Sequence, residues 1–242
     1  MNLIVDIGKT NTKLHVFDRD REVFSASANA GESWLSLVPW QRFPLDKAIV
    51  CSVREDPAVW KAALSERIGR VLVFSTGMPM PVRVAYRTPG TLGVDRLAAV
   101  CGAWKLAPGQ TSLVVDLGTA VTYDFLTADG CYAGGNIAPG MRMRLSALHE
   151  HTARLPQVEP QADFTVWGDT TETAVRSGVM QGILFEMEGY VRALSEKNDA
   201  FCLFLTGGDA NYFEKRLKSR IFVCQNLVAV GLNAVLEWNE NR

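Results

Sequence analysis

Val5-Asp6-Ile7-Gly8-Lys9-Thr10 and Val115-Asp116-Leu117-Gly118-Thr119-Ala120 are two copies of one local design. In each, an apolar run ends in Asp, followed by one apolar residue, a Gly, and small or polar residues. A second run patterned as a β-strand comes next. The two aspartates stand 110 positions apart (116 less 6) in a chain of 242 residues. Two such units in that length predict two related halves of roughly 110–120 residues each. The design has a concrete chemistry. Gly permits the tight turn and removes the Cβ that would block an incoming phosphate. Successive backbone N–H groups of the turn then hold phosphate oxygens. The Asp at the strand end faces the same turn, where it can bind Mg²⁺ directly or through water. One copy alone reads as an ordinary strand-to-turn signal; two copies in matching strand context read as a pair of phosphate loops. Gly8-Lys9-Thr10 is not a Walker A loop, because the position five before its Gly-Lys is Leu3 and the following segment reads as strand.

Outward from these turns the chain alternates strand and helix patterns. Leu3–Ile7 and Lys13–Phe17 flank the first turn as strands, the second with Leu14 and Val16 alternating against Lys13 and His15. Ala48–Val53 and Val71–Phe74 read as buried strands, with a helix over Val59–Ile68 between them. Ser75–Thr91, rich in Pro and Gly, reads as a functional loop, and Gly93-Val94 opens a helix to about Leu106. In the second half, strands are predicted at Ser112–Leu117, Val121–Leu126 and Cys131–Asn136, with a hairpin turn at Asp129-Gly130. Helices are predicted after Pro139-Gly140, over Thr171–Ser195, after Gly207-Gly208, and over Ala229–Asn239; Phe201–Thr206 is a strand. Strands mixed with helices in both halves define an α/β chain, with lobes expected at 1–109 and 110–242.

Composition excludes several classes. Lys plus Arg number 25 and Asp plus Glu 26, a net charge of −1, so no basic face for nucleic acid is indicated. At 48% hydrophobic and 21% charged residues, a sizeable core is expected. No run approaches the ~18 apolar residues of a membrane span, and the first apolar run stops at Asp6, too short for a signal peptide. Five widely spaced cysteines (51, 101, 131, 202 and 224) with no Cys-x-x-Cys fit reduced thiols in a cytoplasmic protein. His149 and His151 are two apart, which sends their rings to different sides of a helix, so histidine metal ligation is not expected. The six tryptophans read as packing residues.

The paired turns, with Leu205-Thr206-Gly207-Gly208-Asp209-Ala210 after a late strand, resemble the actin, sugar-kinase and Hsp70-like ATP-binding fold. Tyr86-Arg87-Thr88-Pro89-Gly90-Thr91-Leu92-Gly93-Val94-Asp95-Arg96 and Gly134-Gly135-Asn136-Ile137-Ala138-Pro139-Gly140 narrow the resemblance to the type III pantothenate kinases, over nearly the whole chain. That resemblance implies two ribonuclease H-like lobes with a nucleotide cleft between them. It implies phosphorylation of pantothenate by ATP with Mg²⁺ and a monovalent cation, K⁺ or NH₄⁺. It also implies a homodimer, in the cytoplasm, with the acceptor site near the interface. Two other outcomes of the same fold are a non-enzymatic nucleotide-binding regulatory protein and a phosphohydrolase.

Residue by residue, the resemblance makes Asp6, Ile7, Gly8, Lys9, Thr10, Asn11, Thr12 and Lys13 the first ATP-phosphate loop, with Asp6 holding Mg²⁺ through water and Lys13 reaching the phosphates. Thr119 is implied as a further ATP contact and Asp116 as the monovalent-cation site. Tyr86, Gly93, Val94, Asp95, Arg96 and Thr171 are implied as acceptor contacts, with Asp95 the catalytic base. By residue type alone, Asp95 equally fits a helix cap, Arg96 an ion pair with Asp95 or Asp116, and Lys13 an exposed strand lysine. Thr170 stands beside Thr171, so the matching position shifts by one under an alternative alignment. The first loop departs from the family's usual Asp-x-Gly-Asn-Thr or Asn-Ser: Lys9 occupies the Asn place, where it either adds a phosphate contact or crowds the loop.

Overall fold

The structure, a computed structural model, describes residues 1–198 and 200–240. In chain order its elements are β1 (Asn2–Ile7), β2 (Asn11–Asp18), β3 (Arg21–Asn29), β4 (Lys47–Ser52), α1 (Pro57–Ser65), β5 (Arg70–Val73), β6 (Arg83–Val84), α2 (Val94–Leu106), β7 (Ser112–Leu117), β8 (Ala120–Leu126), β9 (Cys131–Pro139), α3 (Met141–Glu150), α4 (Thr171–Ser195), β10 (Cys202–Thr206), β11 (Ile221–Val223) and α5 (Leu227–Trp238). The chain divides into two compact units. One comprises Met1–Pro108, Gly130–Tyr132 and the segment from Leu227; the other comprises Gly109–Asp129 and Ala133–Asn226.

The first unit carries a sheet in the order β3-β2-β1-β4-β5. Strand β1 is buried on both faces, Leu3, Val5 and Ile7 on one and Asn2, Ile4 and half-buried Asp6 on the other, and sits in the middle, antiparallel to β2 and parallel to β4. Arg19, at φ +55°, turns the chain between β2 and β3. Leu3, Val5, Ile7, Leu14, Val16, Val50 and Leu64 form the core of one face, closed by Trp34, whose ring centroid is 4.8 Å from that of Trp60. Helices α2 and α5 cross at glycines. A Cβ on Gly231 would stand 1.8 Å from the Ala98 carbonyl oxygen, and one on Gly102 would stand 2.3 Å from the Leu227 carbonyl oxygen. Only hydrogen at both places lets the two backbones approach this closely.

The second unit repeats the plan. Its strands run β11-β10-β7-β8-β9, with β7 antiparallel to β8 and parallel to β10. Its core gathers Val115, Leu117, Tyr123, Leu145, Met180, Ile183, Leu203 and Phe213. Helix α4 starts in a capping box: the Thr170 hydroxyl accepts from the Thr173 N–H, and the Thr173 hydroxyl accepts from the Thr170 N–H.

The structure departs from the sequence expectations at several places, the unexpected short strand β11 and a 3₁₀ turn at Trp34–Leu37 among them. Strand β3 was not expected; it is an edge strand whose residues are mostly half-buried or exposed, so its apolar alternation is weak. The Ser75–Thr91 loop contains β6, which pairs in parallel with Cys131 and Tyr132, and a 3₁₀ turn at Pro89–Thr91. Gly207-Gly208 leads into a single 3₁₀ turn at Ala210–Tyr212 in place of the expected helix. The contacts also do not divide at 109/110: α5 groups with the N-terminal residues because it packs on α2 and β1, the glycine crossing fixing it there. Cys51, Cys101 and Cys131 are buried and Cys202 and Cys224 half-buried, none of them in a disulfide. No helix among the described residues is long and apolar enough to cross a membrane.

Candidate active site

In the first unit the site begins where β1 ends. The Asp6–Lys13 and Ile7–Thr12 pairs are the last rungs of the β1–β2 ladder, and Gly8 to Asn11 make the turn. The Gly8 N–H donates to the Asn11 carbonyl at 2.9 Å, and a Cβ on Gly8 would lie 3.1 Å from that oxygen. The Thr10 carbonyl accepts from the Ala30 N–H at 2.8 Å. The turn's carbonyls are thus drawn to the protein. Its Lys9 and Thr10 amides meet no acceptor among the described residues. Free successive N–H groups on a glycine turn are the arrangement that holds a phosphate.

Cross-strand pairing sets Lys13 directly opposite Asp6, side chains on the same face of the sheet, with Lys13 exposed and Asp6 half-buried. Burial pushes the Asp6 carboxyl up to about 6; Lys13 pulls it down and Asp95 pushes it further up. The two carboxylates therefore lie close enough to feel one another's charge. Cys51, the β4 partner of Asp6, has its thiol pushed well up by burial and by the same two aspartates. A pair of carboxylates beside a phosphate-shaped turn fits a magnesium-bound polyphosphate, since Mg²⁺ takes one or two carboxylates and the ligand's phosphates.

Asp95 lies in the first turn of α2, where an acid also suits the helix dipole. It does not cap the helix: Gly93 holds the N-cap position with no side-chain cap. The Asp95 carboxylate folds back instead, accepting from the Arg96 N–H at 2.9 Å. A Cβ on Gly93 would stand 2.6 Å from its Oδ1, so Gly93 keeps that carboxylate in place. Val94 is half-buried and Arg96 is a buried cation, 6% exposed. Tyr86 stacks on Tyr132 at 6.1 Å between centroids, just past β6, whose short ladder places it.

In the second unit the last rungs of the β7–β8 ladder are Asp116 opposite Thr122 and Leu117 opposite Val121. This turn is one residue shorter than the first. Gly140 donates its N–H to the Thr119 carbonyl at 3.1 Å, and a Cβ there would stand 2.2 Å from the Gly118 carbonyl, so α3 begins against the turn. Gly207, at φ +90°, lies with a would-be Cβ 2.4 Å from Asp116 Oδ1, and the Asp209 N–H donates to the Leu117 carbonyl at 2.9 Å. The late glycine motif is therefore a lid of bare backbone over the Asp116 turn, a role its sequence signal did not reveal. Burial raises the Asp209 carboxyl, against the pull of Arg142. Thr171 is exposed at the first position of α4, and its hydroxyl makes no hydrogen bond among the described residues; Thr170 is committed to the cap. No group of three or more His, Cys, Asp or Glu side chains able to hold a metal gathers among the described residues.

Sequence reasoning missed Arg54. It follows β4, and its guanidinium reaches the Gly8 carbonyl at 3.3 Å and the Thr12 hydroxyl at 3.5 Å. Nothing in Val53-Arg54-Glu55 marks it; only the parallel pairing of β4 with β1 brings it to the turn.

A hairpin with an Asp before its glycine turn, carried once in each of two units of the same strand plan, is the plan of the α/β fold shared by actin, the sugar kinases and Hsp70-like proteins. A glucokinase of the ROK family from Streptomyces griseus, solved with glucose and AMPPNP, superposes with TM-score 0.51 at 13% identity, covering 100% of this chain and 99% of that one. A Campylobacter jejuni structure described as a Baf family transcriptional activator gives TM-score 0.67 at 20% identity, covering 99% and 100%. The family profile described as type III pantothenate kinase matches residues 2–193. A type III pantothenate kinase of Phocaeicola vulgatus is 44% identical over 99% of both chains. One from Bacteroides fragilis is 43% identical over 100% of both. The chain belongs to the type III pantothenate kinases.

Proposed function

We propose that this chain transfers the γ-phosphoryl group of ATP to the primary hydroxyl of pantothenate, giving 4′-phosphopantothenate and ADP, the first step toward coenzyme A. The observation that carries the reading is the convergence of Asp6, Lys13 and Asp95 beside the open amides of the Gly8 turn. Membership of the family supplies the acceptor.

The amides of Lys9 and Thr10 hold phosphate oxygens, and Lys13 spreads charge away from the transferring group. Magnesium, when bound, would neutralise charge on the nucleotide's phosphates; Asp6 is the carboxylate that would hold it, through water. Asp95 orients the acceptor hydroxyl and takes its proton as the oxygen bonds to phosphorus and the bond to the ADP oxygen breaks. Arg96 binds the acceptor's carboxylate, Tyr86 covers it, and Gly93 and Val94 shape the entry to α2. Thr119 contacts ATP, and Asp116 holds the monovalent cation, K⁺ or NH₄⁺. Thr171, with its hydroxyl uncommitted, is the acceptor contact in preference to Thr170. The working form is a cytoplasmic homodimer that acts on small molecules and on neither nucleic acid nor membranes.

The test is direct. Pantothenate, Mg-ATP and K⁺ should give ADP and 4′-phosphopantothenate in equal amounts. Asp95→Asn should abolish turnover while nucleotide binding and melting temperature hold. ADP release independent of pantothenate would identify a hydrolase; nucleotide binding with no turnover under varied cations would identify a regulatory protein.

A further inference from the structure

We propose that Arg54 is a positioning residue for the first phosphate loop, setting nucleotide affinity from behind the turn. The inference deepens the proposed kinase reading and rests on it for the nature of the ligand. Nothing in the family motifs quoted above includes this residue.

A turn that presents its amides to an anion must send its carbonyl oxygens elsewhere, or their negative ends will oppose the ligand. Three oxygens of this turn have partners: Asn11 takes the Gly8 N–H, Thr10 takes the Ala30 N–H, and Gly8 takes Nη1 of Arg54 at 3.3 Å. The third is the one supplied by a side chain. The same guanidinium meets the Thr12 hydroxyl at 3.5 Å through Nη2, so one planar group spans both ends of the turn. A guanidinium has donors in a fixed fork and can make both contacts at once; an ammonium cannot hold that geometry.

Arg54 is itself held. Glu55 Oε1 accepts from its Nε at 2.9 Å and lies 2.8 Å from its Nη2. The other carboxylate oxygen accepts from Trp60 Nε1 at 2.8 Å. The Glu55 N–H donates to the Ser52 hydroxyl at 3.0 Å, and that hydroxyl donates to the Glu55 carbonyl at 2.8 Å, pinning the residue to the end of β4. Just before it, the Val53 N–H donates to the Ile7 carbonyl at 3.0 Å, so this support is tied to the strand that carries Asp6. A chain of contacts therefore runs from Trp60 on α1 through Glu55 and Arg54 to the turn.

The test reads nucleotide binding without acceptor, titrating Mg-AMPPNP into the full chain, beside steady-state kinetics. Arg54→Ala should raise the Kd for AMPPNP and the KM for ATP together by about tenfold, the loss of a charge-assisted pair of contacts. The KM for pantothenate should stay within about twofold and the melting temperature within about 2 °C of the unaltered chain. Arg54→Lys should recover less than half of the loss on a logarithmic scale. Glu55→Ala should raise the Kd by about threefold, and adding it to Arg54→Ala should change nothing further. An unchanged Kd in Arg54→Ala overturns the proposal, as does full recovery by Lys. So does a parallel rise of both KM values with a falling melting temperature, the mark of a fold defect. If the unaltered chain binds AMPPNP but does not phosphorylate pantothenate, the kinase reading fails while the Arg54 comparison stands. If it binds no nucleotide, both fall.

Discussion

Replacing Asp6 by Asn should stabilise the ligand-free protein while removing its activity. The carboxyl has a pKa near 6 in the folded chain against an ordinary value of 3.8, with burial the largest cause and the Asp95 charge adding to it. A raised carboxyl pKa means the folded state resists ionisation. Below about pH 4 the group is protonated folded or unfolded and costs nothing. As pH rises from about 4 to about 6 the unfolded chain ionises first, and stability is lost; above about 6 the full penalty stands. A difference of about two pKa units corresponds to about 3 kcal/mol. Asn, of the same shape and never charged, should recover about 2–3 kcal/mol at pH 8 and almost nothing at pH 4. For a chain of this size that is about 5–10 °C in melting temperature. Urea unfolding of both proteins at pH 8 and pH 4 reads it. Saturating Mg-ATP, at about 100 times Kd, should add about 2.7 kcal/mol to the unaltered protein alone and erase most of the gap. An Asn variant no more stable than the original at pH 8 would refute the reasoning: the carboxylate would then be compensated by its neighbours, and the site would not store this strain for a ligand.

Other consequences follow from the same geometry. If Asp6 holds magnesium as proposed, nucleotide affinity should fall as pH is lowered through about 6, and the Asn variant should lack this inflection in a binding–pH profile. Gly231→Ala puts a methyl 1.8 Å from the Ala98 carbonyl, so the helix pair must separate, costing about 3 kcal/mol or more in urea unfolding. Gly207→Ala combines φ +90° with a 2.4 Å approach to Asp116, and should cost about 2 kcal/mol and weaken the cation dependence of turnover together. Glu186 accepts two hydrogen bonds from Arg144, at 2.6 and 2.8 Å, and one from Tyr123. Glu186→Leu should cost about 1–2 kcal/mol, readable as a lower denaturation midpoint, by leaving that arginine unpaired.

The first turn was legible because its signal is local: an apolar strand, an acid, one apolar residue and a glycine dictate strand and turn wherever they sit. The same holds for β7, for α2 and for α4, whose length announces it. Strand β3 was not legible, because an edge strand needs apolar residues on one face only and here even that face is partly exposed. The 3₁₀ turn after Gly207 escaped because what shapes it is the close approach to Asp116 and Leu117, ninety residues away in sequence. Of the site, the Asp6–Lys13 opposition follows from the hairpin register and was within reach. The approach of Asp95 to Asp6 was not, since it depends on how α2 docks on the sheet.

The two Asp-x-Gly strand-turns are legible in the sequence, because hydrophobic period and glycine placement act over a few residues. The charge state at the first turn and the support behind it come from the tertiary fold. Burial raises the Asp6 carboxyl to about 6, and the parallel register of β4 against β1 delivers Arg54 to Gly8 and Thr12. Both depend on which distant segments exclude water or meet in space, and no local pattern of residues encodes that.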